Sequence, residues 1–124
     1  MVLVPLASKG NFLHVFDFRA KSGTGDRFIR EFDEFDYGPD NPMHKSPAQV
    51  RDGVLCRNTE DPDHFYLIAE WSDIEAHARI REQVAAMDLT FFGLIEDIEK
   101  GCFVPTYAEI VSSTPQEILD SAAG

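Results

Sequence analysis

No apolar run in the sequence approaches the roughly 20 residues that a helix needs to cross a bilayer, so no membrane span is expected. The opening MVLVPLASKGN lacks a basic region leading into a full apolar stretch, so no secretory leader is expected and we read a cytoplasmic protein. Cysteine is scarce: Cys56 and Cys102 form no CxxC and have no His pair near them in sequence, which leaves no zinc spacing. Both are expected to be reduced, half-buried strand residues without a disulfide. Positive charge is scarce too. Eleven Lys and Arg against 22 Asp and Glu give a formal charge of -11, which repels nucleic acid and anionic membranes, so neither is expected as a partner. There is no internal repeat, and 124 residues suffice for one core but not two, so residues 1–124 are expected to form a single domain. Its core spans about 12–111, and 112–124 is a C-terminal extension.

What the chain does have centres on residues 65–81, FYLIAEWSDIEAHARIR. Phe65 to Trp71 is apolar and aromatic without a breaker, which predicts a buried strand, and Ser72-Asp73-Ile74-Glu75 fits the S-x-x-E capping box that opens a helix. At about 100° per residue, Ile74, Ala76, Ala78, Ile80, Val84, Ala85 and Met87 share one arc of that helix, with Glu75, Arg79, Glu82 and Gln83 opposite. His77 falls inside the apolar arc, and Arg81 lies about 40° further round, one turn away. Polar groups on a core-facing arc are costly unless paired, so these two either satisfy a buried partner or line a cavity. The plainer alternative is a flanking His and an Arg that snorkels to water.

The remaining elements follow from periodicity and breakers. In Asn11–Arg19 a period of two puts Phe12, His14, Phe16 and Phe18 on one face and Leu13, Val15, Asp17 and Arg19 on the other. His14 is thus either a core histidine held by a neighbour or a catalytic group. Ser22-Gly23-Thr24-Gly25 turns the chain and caps a helix over Asp26–Phe35, with Phe28, Ile29, Phe32 and Phe35 at helical spacing. Residues 37–47, YGPDNPMHKSP, cannot sustain regular structure and are long enough for a lid that brings His44 and Lys45 to a ligand. Val50–Asn58 is a strand with a bulge at Gly53, joined to the next strand by the turn Glu60–Asp63. Leu89, Phe92, Leu94, Ile95 and Ile98 continue a helical pattern to Lys100-Gly101. Cys102–Val111 is a fourth strand, which Pro105 marks as an edge or a bulge. Thr114-Pro115-Gln116-Glu117 is a second capping box, for a helix over Pro115–Ala122 that serves as a dimer arm or packing segment.

The order strand, helix, strand, strand, helix, strand is the split βαβ of an α+β, ferredoxin-like fold: an antiparallel sheet with both helices on one face. The other face carries Leu13 and Val15, and a second copy is its expected cover. In order and spacing, FLHVFDFRAKSGTGDRFIREF, EDPDHF, FYLIAEWSDIEAH and FVPTYAEIV resemble the antibiotic biosynthesis monooxygenase family of dimeric α+β barrels, over about residues 12–111. That resemblance implies a barrel formed across a homodimer, a pocket in each protomer between sheet and helices, and, in some members, oxygenation of aromatic polyketide intermediates without metal or flavin. Trp71 matches the family's strand-end, pocket-lining Trp. Leu67 stands where oxygenating members have Asn, and His77 where they have Tyr. Phe16 stands at the Asn of heme-degrading relatives, and Ile80 and Arg81 at their heme-ligating His, so heme degradation is not expected.

The site expected from all this is walled by Phe16, Phe18, Phe65, Leu67 and Trp71, with His14, His77 and Arg81 as its polar groups and His44 at the lid, and it suits a flat aromatic or polyketide substrate. The leading expectation is cofactor-independent monooxygenation with no metal: a neutral His removes a proton, Arg81 and the Trp71 N–H stabilise the oxyanion, and the carbanion reduces O₂. A non-oxidative cyclase or isomerase would use the same groups. A binding dimer without chemistry would instead have His14, His77 and Arg81 satisfied by protein partners, and no cavity beside Trp71.

Overall fold

The structure is a computed structural model, and it describes residues 2–98 and 104–124. Alternation along β1 (Phe12–Arg19) buries His14, Phe16 and Phe18 and exposes Asp17 and Arg19, with Leu13 and Val15 half-buried between them. This strand is central. It pairs antiparallel with β3 (His64–Trp71) on one side and β4 (Thr106–Glu109) on the other, while β2 (Gln49–Arg57) pairs with β3, so the sheet order is β2-β3-β1-β4. Helix α1 (Gly25–Asp36) links β1 to β2, and α2 (Ile74–Ala85) leaves β3 on the way to β4. Both helices cover the same face: Phe28 of α1 packs on Phe18 and Phe65, and His77 of α2 packs on His14, Phe16 and Trp71. The architecture is α+β and ferredoxin-like, as the element order implied. Under α1 the core is an aromatic cluster in which Phe28 lies 5.2 Å from Phe65 and 5.5 Å from Phe91, ring centre to ring centre.

The helix starts differ from the sequence reading. At α1 the Thr24 hydroxyl donates to the Lys21 carbonyl instead of capping, and Asp63 from the β2–β3 turn accepts the Gly23 and Gly25 N–H groups at 2.9 and 2.8 Å. A carboxylate thus sits at the positive end of the helix. The approach demands glycine, since a Cβ on Gly25 would lie 2.2 Å from the Pro62 carbonyl oxygen. At α2 the cap is Asp73, whose carboxylate accepts the Glu75 N–H at 2.9 Å. Ser72 is tied to Ala48 through its N–H and its hydroxyl, so it cannot turn to cap. The terminal helix α3 (Gln116–Ala123) follows Pro115 with no side-chain cap, and Gln116 Nε2 instead donates to the Leu3 carbonyl.

Three further expectations are corrected. The helical spacing from Leu89 onward yields only a 3-10 turn, Thr90–Leu94, because the backbone after it is captured by the end of β1: Lys21 N–H bonds Leu94 and Glu96 N–H bonds Arg19. Residues 37–47 are not featureless, since Asn41 accepts the Met43 N–H and caps a 3-10 turn over Pro42–Lys45. Cys56 is exposed, not half-buried, because β2 is an edge strand with an uncovered outer face. The expected helix end at Lys100-Gly101 and strand start at Cys102 lie outside the described residues, and β4 runs at the other sheet edge after Pro105. No helix among the described residues is long and apolar enough to cross a membrane.

Candidate functional site

Strand register assembles the site. His14 lies opposite Ala69 on β3 and Tyr107 on β4, Phe16 opposite Leu67, and Phe12 opposite Trp71. Paired residues share a face, so Trp71, His14 and Tyr107 all turn toward α2. That helix contributes His77, its one buried residue, whose ring centre is 4.3 Å from His14, 4.9 Å from Trp71 and 5.4 Å from Tyr107. The hydrogen bonds are directional. Trp71 Nε1–H donates to His14 Nδ1 at 3.1 Å, and His77 Nδ1 lies 2.8 Å from the Tyr107 hydroxyl oxygen. Both Nε2 atoms are buried without a partner.

These contacts dictate the protonation of His14. Its Nδ1 accepts from an indole that can only donate, so the neutral ring carries its hydrogen on Nε2 and presents a donor there. Burial, helped by neighbouring His77, pushes the His14 pKa down to about 3. Burial, helped by the Arg81 charge, pushes His77 down to about 4. Both rings are therefore neutral near pH 7, because desolvation penalises the imidazolium. A buried donor left unmet costs about 1–3 kcal/mol, which is available to a ligand that accepts from it.

A cavity of about 710 Å³ opens between the sheet and the helices. Of the residues expected from sequence, His14, Phe16, Phe65, Leu67, Arg81 and His44 line it. Three do not. Trp71 and His77, both fully buried, sit behind the wall under α2, and Phe18 packs into the aromatic cluster with Phe28 and Phe65. The Trp71 N–H is already engaged by His14, so the sequence-based role for it as an oxyanion donor is corrected. His44 lies at an exposed part of the lining, its Nε2 3.3 Å from Asp36 Oδ1 and 3.1 Å from Asp52 Oδ1. Burial raises the Asp36 carboxyl pKa even though His44 acts to lower it. Among the described residues, these three form the group that could hold a cation.

Sequence reasoning missed Tyr107, Asp36 and Asp52. The period of two in β4 and its pairing with β1 would have placed Tyr107 opposite His14, had the register been known. Asp36, His44 and Asp52 are separated along the chain, and only the packing of α1 against the β2 bulge brings them together.

The fold and the site together define a ferredoxin-like α+β protein with an aromatic-walled cavity backed by two neutral, buried histidines. No protein-family model and no curated protein matches the chain. Solved structures do. The chain is similar to a candidate antibiotic biosynthesis monooxygenase from Bordetella bronchiseptica, with 15% identity over 84% of this chain and 100% of that one and a TM-score of 0.57. It is also similar to one from Chloroflexus aurantiacus J-10-fl, with 16% identity over 86% and 98% and a TM-score of 0.53. A dimeric ferredoxin-like protein from an uncultured marine organism gives 16% identity, 86% and 91% coverage and a TM-score of 0.56. At these identities the likeness is one of fold, and at that level the resemblance read from the sequence holds.

Proposed function

We propose that this chain is a cofactor-independent monooxygenase that acts in the cytoplasm, as a homodimer, on a flat, weakly acidic aromatic or polyketide-type molecule. The observation that carries this reading is the His14 Nε2–H: a buried, unpartnered donor on a residue that lines a large, mostly apolar cavity. The substrate ring lies among Phe16, Phe65 and Leu67, and its carbonyl or phenolic oxygen accepts from His14. That hydrogen bond and the positive charge of Arg81 stabilise the enolate more than the neutral substrate, which lowers the barrier to C–H ionisation. His14 is thus an electrophile and not the base. The proton passes to His77 Nε2 through a bridging water, since His77 stands behind the cavity wall, in the tautomer whose Nδ1–H donates to the Tyr107 oxygen.

The carbanion then gives one electron to O₂, and the substrate radical and superoxide combine as a peroxide. The proton returns from His77, the peroxide eliminates water, and a CH₂ has become C=O, with every electron supplied by the substrate. Homodimer formation is supported by Leu13 and Val15, half-buried on the face the helices leave bare. A binding protein without chemistry is disfavoured by the two unpartnered imidazole nitrogens.

An oxygen electrode with an anthrone-type substrate tests this. Wild-type protein should consume one O₂ per product, and His14→Ala should lower kcat by about 100-fold or more with its circular dichroism unchanged. Undiminished uptake in that variant would sink the proposal. Conversion under argon at the aerobic rate would replace it with a cyclase or isomerase.

A further inference from the structure

We propose that Asp36, His44 and Asp52 form a binding site for a divalent first-row metal ion such as Zn²⁺ or Mn²⁺ at the edge of the cavity. The three donors come from three places: the last residue of α1, the 3-10 turn, and the bulged part of β2, where the register with β3 shifts between Gln49 and Val54. Their ligand atoms all lie within 4.8 Å of one another. The spacing is that of a coordination shell. Donors about 2.1 Å from a metal are separated by about 3.0 Å along an octahedral edge and about 3.4 Å along a tetrahedral one. His44 Nε2 stands 3.1 and 3.3 Å from its two carboxylate oxygens.

A second observation separates this from an ordinary ion pair. Neither His44 contact has hydrogen-bond geometry, whereas His64 Nε2 does hydrogen-bond its carboxylate partner, Asp17. One N–H cannot aim at two oxygens, and here it hydrogen-bonds neither. Asn41, 5% exposed, holds two of the donors in place: its Nδ2 donates to Asp36 Oδ1 at 3.1 Å, and its Oδ1 caps the turn that carries His44. A dication also neutralises two carboxylates that a chain of net charge -11 gathers around one imidazole. One imidazole nitrogen with carboxylate oxygens is a borderline-to-hard donor set, suited to zinc or manganese. All three residues line the cavity. This proposal does not depend on the oxygenase reading.

Metal-stripped full-length protein is titrated calorimetrically with ZnCl₂ and with MnCl₂. The expected result is one saturable ion per chain, a thermal midpoint that rises on loading, and binding weakened tenfold or more by both His44→Ala and Asp52→Asn. Asp52 has a 62% exposed side chain, so its variant keeps the fold and serves even if the His44 variant does not. Absence of saturable binding by either metal, or a loss under tenfold in a folded variant, would overturn the site and leave only diffuse attraction to an acidic surface.

Discussion

At the residue scale the two histidines are the most telling groups, because each is held neutral in a place where the unfolded chain would let it charge. His14 and His77 have folded pKa values of about 3 and about 4 against 6.5 for an unburied imidazole. Between those limits the unfolded chain binds protons that the folded one does not, so stability falls as pH drops from about 6.5 toward 4. Each ring adds a slope of about 1.4 kcal/mol per pH unit in that window. Urea unfolding at pH 7, 5.5 and 4.5 measures it, and His77→Gln should make the curve shallower by about one proton. An equally steep curve in that variant would mean that His77 is already protonated in the folded state.

At the scale of elements, the start of α2 shows tertiary context choosing between two adjacent capping residues. Ser72 and Asp73 are both good N-cap types, but Ser72 is bonded through N–H and hydroxyl to Ala48, beside the start of β2, which leaves Asp73 to accept the Glu75 N–H. Asp73→Ala should therefore cost about 1 kcal/mol, and Ser72→Ala less than about 0.5 kcal/mol, read from urea midpoints at constant slope. The reverse ranking would restore the capping box. The segment after α2 makes the same point. Leu89, Phe92 and Ile95 have helical spacing, yet backbone bonds to Arg19 and Lys21 hold the chain in a turn that buries Phe91, Leu94 and Ile95.

For the whole molecule the open question is the bare face of the sheet. A single chain leaves Leu3, Val4 and Leu6 69–83% exposed and Leu13 and Val15 only half-covered, apolar surface that a second copy would bury. Sedimentation at micromolar concentration should give twice the chain mass, and Val15→Lys, placing a charge in the centre of that face, should shift the protein to monomer. Monomeric wild-type protein would remove the homodimer from the proposal.

Much was determined by sequence alone. Period-two alternation named the buried face of β1, with His14 among its phenylalanines, and the breakers Pro105 and Gly53 marked an edge and a bulge. The helical wheel picked out His77 and Arg81 as the polar residues in the apolar sector; His77 is the one buried residue of α2, and Arg81 lines the cavity. These are local properties, readable because burial imposes a period on a single element. Only the tertiary structure decided which atom of each ring is engaged, that Trp71 donates to His14 and stays behind the cavity wall, that Tyr107 meets His77, and that Asp36, His44 and Asp52 converge. Those facts depend on strand register and on the angle at which helix meets sheet, which are fixed by contacts between residues distant along the chain and leave no periodic trace in any one segment.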